Sequence, residues 1–410
     1  MNRLFPLLFV ATIFMGGLTG CSFLESKDQA ATVESVGEIK GQVTNTGGQH
    51  GPIIVVAMQK EKGAVVKINK QIANEDGSYK FVLLPGNYLM AAYVDKNNNN
   101  RYDADEHGKS DFNAPTVKVI SKKSVTFTPI VISGFPKALP AKSQVTAIQS
   151  KAMKNIGKVV KFDDPMFNQD NYSEGMWRPL DFLEKTGGGL FFLEPYSKSK
   201  TPVLFVHGIN GGPTDFEKLI ASLDRKKYQP WIIYYSTGLR LDMVSDYLTK
   251  AMSDLQNKYH FKEFIVVAHS MGGLVSRSFV KKYYERHPKK AKGIKRFITV
   301  NSPLGGIGAL SSIKSIPLII AVWLDLAPDS QFLKGIHSWQ LPKTTKYYMF
   351  FSYLEGEDSD GVVAIHSQLP YNVQKEAVRL YGFNTNHVGP LKEDKFIKII
   401  KKTIQQGNGR

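Results

Sequence analysis

The segment Phe264-Ile-Val-Val-Ala268-His269-Ser270-Met271-Gly272-Gly273-Leu274 runs an apolar strand directly into a helix, with a serine at the turn. A strand-to-helix turn this sharp crowds its neighbours, so the positions two before and two after the serine must be tiny; Ala268 and Gly272 meet that demand. The turn lifts the Ser270 hydroxyl clear of the sheet edge. It also sets the Met271 backbone N–H at a helix start, where an unpaired donor and the helix dipole can stabilise an oxyanion. A second apolar strand, Pro202 to Val206, ends in His207-Gly208-Ile209-Asn210-Gly211-Gly212. A glycine-rich loop in that place offers the Ile209 N–H as the partner donor. The chemistry these parts suit is nucleophilic attack on an acyl carbonyl. An incidental serine in a strand-turn-helix is the alternative for the first segment alone, and the second segment weighs against it.

A nucleophilic hydroxyl needs a base within hydrogen-bond reach, and the base needs a carboxylate to orient it. In turns of this kind the chain order is serine, acid, histidine, so both are sought beyond residue 270. Among His287, His337, His366 and His387, only His387 sits in a short loop, 384–390, between an expected strand at 378–381 and the last expected helix at 392–404. The loop after an expected strand at 347–353 holds Glu355, Glu357, Asp358 and Asp360. Asp360-Gly-Val-Val resembles the acid loop of lipases and acyltransferases, which points to Asp360, with Glu357 and Asp358 as competing carboxylates. His366 is too close to Asp360 in sequence to serve as its partner.

From Met176-Trp177-Arg178-Pro179 through His387-Val388-Gly389-Pro390 the chain resembles the α/β-hydrolase lipases and esterases, near the branch that includes inositol-deacylase-like proteins. The resemblance implies an acyl-enzyme mechanism with Ser270 as nucleophile, His387 as base, Asp360 as orienting acid and the amides of Ile209 and Met271 as the oxyanion site. It makes His207 a loop-shaping residue rather than the base. Ala268 departs from the usual glycine, although alanine also occurs there in some bacterial lipases. No cofactor is required. The implied activity is hydrolysis of carboxylic esters of acyl lipids or phospholipids. The rivals are acyl transfer or amide cleavage by the same triad, and a non-catalytic surface interaction protein on a vestigial hydrolase fold.

The elements that must position these groups follow from periodicity. Strands at 190–193, 203–206, 231–234, 264–267 and 297–300 alternate with helices at 216–223, 241–258 and 272–284, which implies a mostly parallel sheet covered on both faces. Residues 162–410 form the expected α/β-hydrolase domain. An insertion at about 304–345 stands where that family carries its cap. Its run Ile316 to Leu324 is apolar but too short to span a bilayer, and reads either as a lid facing acyl chains or as a buried helix. Asp325-Leu-Ala-Pro-Asp329-Ser330 resembles a segment that closes this region and is assigned no catalytic role.

Ahead of this, residues 34–133 carry short apolar runs at 53–58, 65–72, 79–83, 88–94, 117–120 and 125–132, punctuated by Asp76-Gly77 and Pro85-Gly86-Asn87. That pattern predicts a small all-β sandwich, resembling carboxypeptidase-regulatory or transthyretin-like modules. Residues 134–161 read as a linker. Within the sandwich, Asp95, Asn97 and Asn99, the Arg101 carbonyl and Glu106 fit the spacing of a calcium loop, with Asn100 where glycine is expected. An Asx-rich hairpin bonding its own backbone is the equal alternative.

Residues 1–20 read as an export signal, and Leu18-Thr19-Gly20-Cys21 resembles the bacterial lipobox, which implies lipidation of Cys21 and a tether over 21–33. Cys21 is the only cysteine of the chain, so no intrachain disulfide competes for it. Ser22 in place of Asp implies, by resemblance to Gram-negative lipoproteins, the outer membrane. The formal charge of +17 over 410 residues suits nucleic acid, an anionic membrane surface or an anionic substrate. Export argues against nucleic acid. The densest basic stretch, Lys281 to Arg296, reads as a solvated helix end or as attraction for phosphate-bearing lipid.

Overall fold

The computed structural model describes residue 31 and residues 35–406, apart from 63, 75, 98–101, 111–113, 137–150 and 316–319. The expected signal, Cys21 and nearly all of the tether lie outside the described residues, as do Asn99, Arg101 and half of the expected linker. The chain divides into two compact units, residues 31–154 with 250–260, and residues 155–249 with 261–410.

The first unit is built on nine strands: β1 (Gly37–Asn45), β2 (Ile53–Glu61), β3 (Ala64–Ile72), β4 (Ser78–Leu83), β5 (Gly86–Val94), β6 (Gly108–Lys109), β7 (Val117–Val119), β8 (Ser124–Thr126) and β9 (Ile130–Ile132). One sheet holds β4, β1, β8 and β9, and the other holds β3, β2, β5, β6 and β7. The inward residues Ile39, Val43, Val55, Ala57, Tyr79, Phe81, Tyr88 and Val94 bury one another between the sheets, as period-two alternation demands. The strand expected at 125–132 is two strands. Pro129 has no N–H for a ladder, so β8 pairs with β1 at Glu38 to Lys40 and β9 rejoins β1 further on, at Val43 to Asn45.

The second unit carries an eight-stranded sheet: β10 (Lys158–Val159), β11 (Gly189–Phe192), β12 (Thr201–Val206), β13 (Tyr228–Tyr234), β14 (Phe264–His269), β15 (Ile294–Val300), β16 (Lys346–Tyr353) and β17 (Ala377–Asn384). The order is β10-β11-β13-β12-β14-β15-β16-β17, parallel throughout except that β11 runs antiparallel to β13. β10 places Lys158 and Val159 in this sheet, inside the stretch read as linker. The central strands are almost wholly buried, β14 without interruption from Phe264 to His269, because helices cover both faces.

The helices between and after these strands include α1 (Gln169–Trp177), α2 (Pro179–Lys185), α3 (Leu241–Tyr259), α4 (Gly272–Arg286), α5 (Ala321–Leu326), α6 (Gln331–His337) and α7 (Asp394–Gln405). α7 shows how sequence makes a covering helix: Phe396, Ile397, Ile400 and Ile404 fall on one face and are buried, while Lys395, Lys398 and Lys402 face water. The helix expected at 216–223 starts earlier, as a 3₁₀ turn at Pro213–Phe216 that continues into Glu217–Ala221. This sheet order, with the helices packed on it, is the α/β-hydrolase fold.

Several cations of the basic stretch 281–296 are paired with carboxylates within this unit. Lys281 pairs with Glu285, Lys282 with Asp242 and Asp246, Arg286 with Asp246, and Lys295 with Glu263.

Candidate active site

β14 ends at His269 and α4 begins at Gly272, which leaves Ser270 and Met271 to make the turn. Ser270 sits at φ +53°, a left-handed conformation that costs a non-glycine residue of order 1 kcal/mol or more. The turn is held by Ser270 N–H donating to the Val300 carbonyl (2.8 Å) and Gly273 N–H donating to the Ser270 carbonyl (2.9 Å). No larger residue fits at two neighbouring positions. A β-carbon on Gly272 would strike the carbonyl oxygens of Val206 and His207, and one on Gly208 would lie 2.8 Å from the Ser270 β-carbon.

Two loops from the same edge of the sheet complete the arrangement. Past β17, His387 brings its Nε2 to 2.8 Å from the Ser270 hydroxyl oxygen. The other ring nitrogen, Nδ1, donates to Asp360 Oδ2 at 2.7 Å. Asp360 lies past β16, has no exposed surface, and accepts the amides of Val362 (2.9 Å) and Val363 (2.7 Å) on its second oxygen. Those amides fix the carboxylate so that one oxygen is left for the imidazole. His387 N–H in turn donates to the Asp360 carbonyl at 3.0 Å, so acid and base are joined through backbone as well as side chain.

The other residues considered from the sequence fall elsewhere. Glu357 and Asp358 are exposed, and His387 takes Asp360 instead. His366 is exposed, His337 faces the Leu304 carbonyl at 2.6 Å, and His287 is buried against Tyr283. His207 is buried beside the site but turned into the scaffold. Its Nδ1–H donates to the Gly208 carbonyl (2.9 Å), its Nε2 accepts the Tyr235 N–H (3.4 Å), and its ring stacks on Tyr235 at 4.3 Å. Burial pushes its pKa down to about 4, so it stays neutral and shapes the loop. In that loop the Asn210 amide is taken by the Thr237 hydroxyl (3.2 Å) and the Gly212 amide by Asp215 (3.1 Å). Ile209 lies between His207-Gly208 and these tied positions, and Met271 follows the serine at the mouth of α4.

The segment between β15 and β16 is anchored by a tie that the sequence does not display. Asp325 on α5 has no exposed surface and accepts Arg240 Nη2 (2.7 Å) and Nε (2.9 Å) on one oxygen and the Leu241 amide (2.7 Å) on the other. Trp323 of α5 meets the edge of Trp177 with ring centres 6.1 Å apart. Arg277, within α4 and fully buried, holds Glu376 with both terminal nitrogens (2.8 and 2.9 Å). Each tie joins residues 85 or 99 positions apart, so neither has a local signature in the sequence.

In the sandwich, the loop read as a calcium site is tied by its own hydrogen bonds. Glu106 has no exposed surface; one oxygen accepts the Lys96 amide (3.0 Å) and the other the Asp103 amide (2.9 Å), while Asn97 donates to Asp103 (2.9 Å). Burial raises the Glu106 carboxyl, with Asp95 and Asp103 adding to it. Asn99 and Arg101, two of the other expected ligands, lie outside the described residues. Among the described residues no group of three or more His, Cys, Asp or Glu side chains is set to hold a metal ion.

With this geometry in view, the class of protein is that of the α/β-hydrolase fold. Residues 236–372 match the family model described as "Alpha/beta hydrolase of unknown function (DUF915)". A curated relative, the lysosomal thioesterase PPT2 homolog of Drosophila melanogaster, is 26% identical over 115 residues, which are 26% of this chain and 36% of that protein. The chain thus spans little more than a third of that relative's length. Among solved structures, the mature form of Bacillus licheniformis lipase BlEst2 is 18% identical over 52% of this chain and 97% of its own, with a TM-score of 0.40. The product of gene lin2722 from Listeria innocua is 18% identical over 51% of this chain and 96% of its own, also with a TM-score of 0.40.

Proposed function

We propose that the protein is a serine hydrolase of carboxylic esters. The observation that carries this reading is the unbroken line from the Ser270 hydroxyl through His387 to Asp360, 2.8 Å and then 2.7 Å, drawn from three loops at one sheet edge. Ser270 Oγ attacks the ester carbonyl carbon while His387 Nε2 takes the hydroxyl proton, and the amides of Ile209 and Met271 hold the resulting oxyanion. The C–O bond to the alcohol breaks as His387 returns the proton to it. Water then repeats the sequence on the acyl-serine, releasing the acid and restoring the hydroxyl. Asp360 holds the imidazole in the tautomer with hydrogen on Nδ1 and stabilises the cation that forms. The reaction needs no cofactor.

The substrate class we favour is acyl esters, including acyl lipids and phospholipids. The reading of residues 1–21 as a lipoprotein leader supports it, because attachment through Cys21 to the outer membrane would bring the site to its substrate. The relative named as a thioesterase makes acyl thioesters the natural second arm of a substrate panel. A fluorophosphonate probe should label the full chain and leave Ser270→Ala unlabelled; no labelling of either form favours a binding role on a silent fold. Nitrophenyl esters of short and long acyl chains, with and without an added alcohol acceptor, separate hydrolysis from transfer. Equal rates on dispersed and water-soluble esters would remove the lipase part and keep the esterase. Incorporation of labelled palmitate, abolished in Cys21→Ser, tests the anchor.

A further inference from the structure

Ser270 is one half of a dipeptide that grips His387 twice. Its hydroxyl meets the imidazole, while the side chain before it, His269, reaches the backbone: His269 Nε2–H donates to the His387 carbonyl at 3.0 Å. The same carbonyl accepts a second donor, Asn301 Nδ2, at 2.9 Å. Neither donor comes from the loop that carries His387; one ends β14 and the other follows β15.

Both are built for the purpose. His269 is 5% exposed and Asn301 has no exposed surface. Asn301 stands at φ +49°, a left-handed position that asparagine tolerates better than most residues, and its amide donates to the Phe350 carbonyl (2.9 Å). Burial drives the His269 ring down to about 3, with His387 adding to it, so His269 is a neutral N–H donor across the working pH range. A charged ring 5.0 Å from that of His387 would repel the imidazolium that forms during catalysis.

We propose that His269 and Asn301 are positioning residues that clamp the His387 peptide and thereby set the distance between base and nucleophile. This rests on the triad reading above. The His387 amide is already held by the Asp360 carbonyl, so the clamp fixes the other end of the same residue, and its ring can then swing only about its own side-chain bonds. Because the elbow carries both Ser270 and the residue that grips His387, any shift of the elbow moves nucleophile and base together. In such a site a misplacement of about 1 Å can cost roughly 100-fold in rate.

The test uses the full chain and a soluble nitrophenyl ester. His269→Phe keeps the ring shape and removes the donor; it should lower kcat by about 10- to 100-fold with KM within about threefold. His269→Gln, which restores an N–H at similar reach, should recover most of that loss. The low-field proton resonance of His387 Nδ1–H, assigned by its disappearance in Asp360→Asn, should be sharp in the wild type and broadened in His269→Phe. If His269→Phe folds, keeps kcat within twofold and leaves the resonance sharp, the clamp is wrong. Should His269→Phe fail to fold, the near-isosteric Asn301→Asp, which sets an acceptor against the same carbonyl, decides the matter: normal kcat refutes the clamp and a lowered one supports it. A wild type that cleaves no ester and takes no fluorophosphonate would refute the hydrolase reading, and the resonance would still judge the clamp on its own.

Discussion

The loop after β5 and the loop after β16 each bury a carboxylate completely, and they use it in opposite ways. Glu106 spends both oxygens on amides three and ten residues away, so its network closes on itself and holds one turn in shape. Asp360 uses one oxygen on amides two and three residues on, and turns the other to an imidazole 27 residues away, which contacts a hydroxyl 117 residues from itself. A carboxylate satisfied by its own turn is a folding device. One that faces a titratable ring, with a nucleophile beyond it, is a chemical one. Asp325 shows that distance alone is not the criterion, for its partner Arg240 lies 85 residues away and never gives up its charge.

Replacing each carboxylate or its partner should separate these roles, beginning with the largest effect. Asp360→Asn keeps an oxygen for the amides of Val362 and Val363 but loses the charge facing His387. It should cut kcat roughly 10³- to 10⁴-fold on a nitrophenyl ester, with melting little changed. A drop of less than tenfold would mean that another group orients the base. Arg240→Met leaves Asp325 buried and unpaired, and should destabilise the hydrolase-fold unit by about 3–5 kcal/mol in urea titration. The accompanying change Asp325→Leu should restore much of that loss if the pair is structural.

Mild acid should act first on the buried histidines of the hydrolase-fold unit. Burial holds His207 at about 4 and His269 and His287 at about 3, below the ordinary 6.5. Folded-state values below the unfolded one give stability that is fully present above 6.5 and lost as the pH falls from there toward the folded values. Calorimetry between pH 7.5 and 5 should therefore show the hydrolase-fold transition dropping by roughly 5–10 °C. Glu106 has the reverse sign: its raised carboxyl gives a contribution present below 4.5 and lost as the pH rises through its folded value, so it adds no acid loss to the sandwich over this range. Two transitions falling in parallel would contradict this. The smallest effect expected is from Glu106→Ala, which strands two amides and should cost the sandwich about 1–3 kcal/mol while leaving ester kinetics unchanged.

Legibility in the sequence divides along the same line. Ser270 was legible because a strand, a turn and a helix must meet within a few residues, and only small neighbours permit it. His387 was legible because it stands in a short loop after a strand, whereas loop position left Asp360 among Glu357 and Asp358 and only the resemblance of Asp360-Gly-Val-Val to an acid loop pointed to it. The grips of His269 and Asn301 on the His387 carbonyl, and the Arg277–Glu376 and Arg240–Asp325 ties, were not legible. They join residues 85 to 118 positions apart wherever strand order happens to place them, and no local spacing encodes that. The spacing of 95–106 matched a cation loop because acidic and amide side chains recur alike in loops that bind ions and in turns that bond themselves.

The left-handed backbone at Ser270 has a consequence for any effort to harden this protein. Glycine is at ease at φ +53°, so Ser270→Gly should raise the melting temperature even as it silences the molecule. A library screened for heat resistance alone would drift toward that change. Only a screen that also demands turnover would keep the serine where it is uncomfortable.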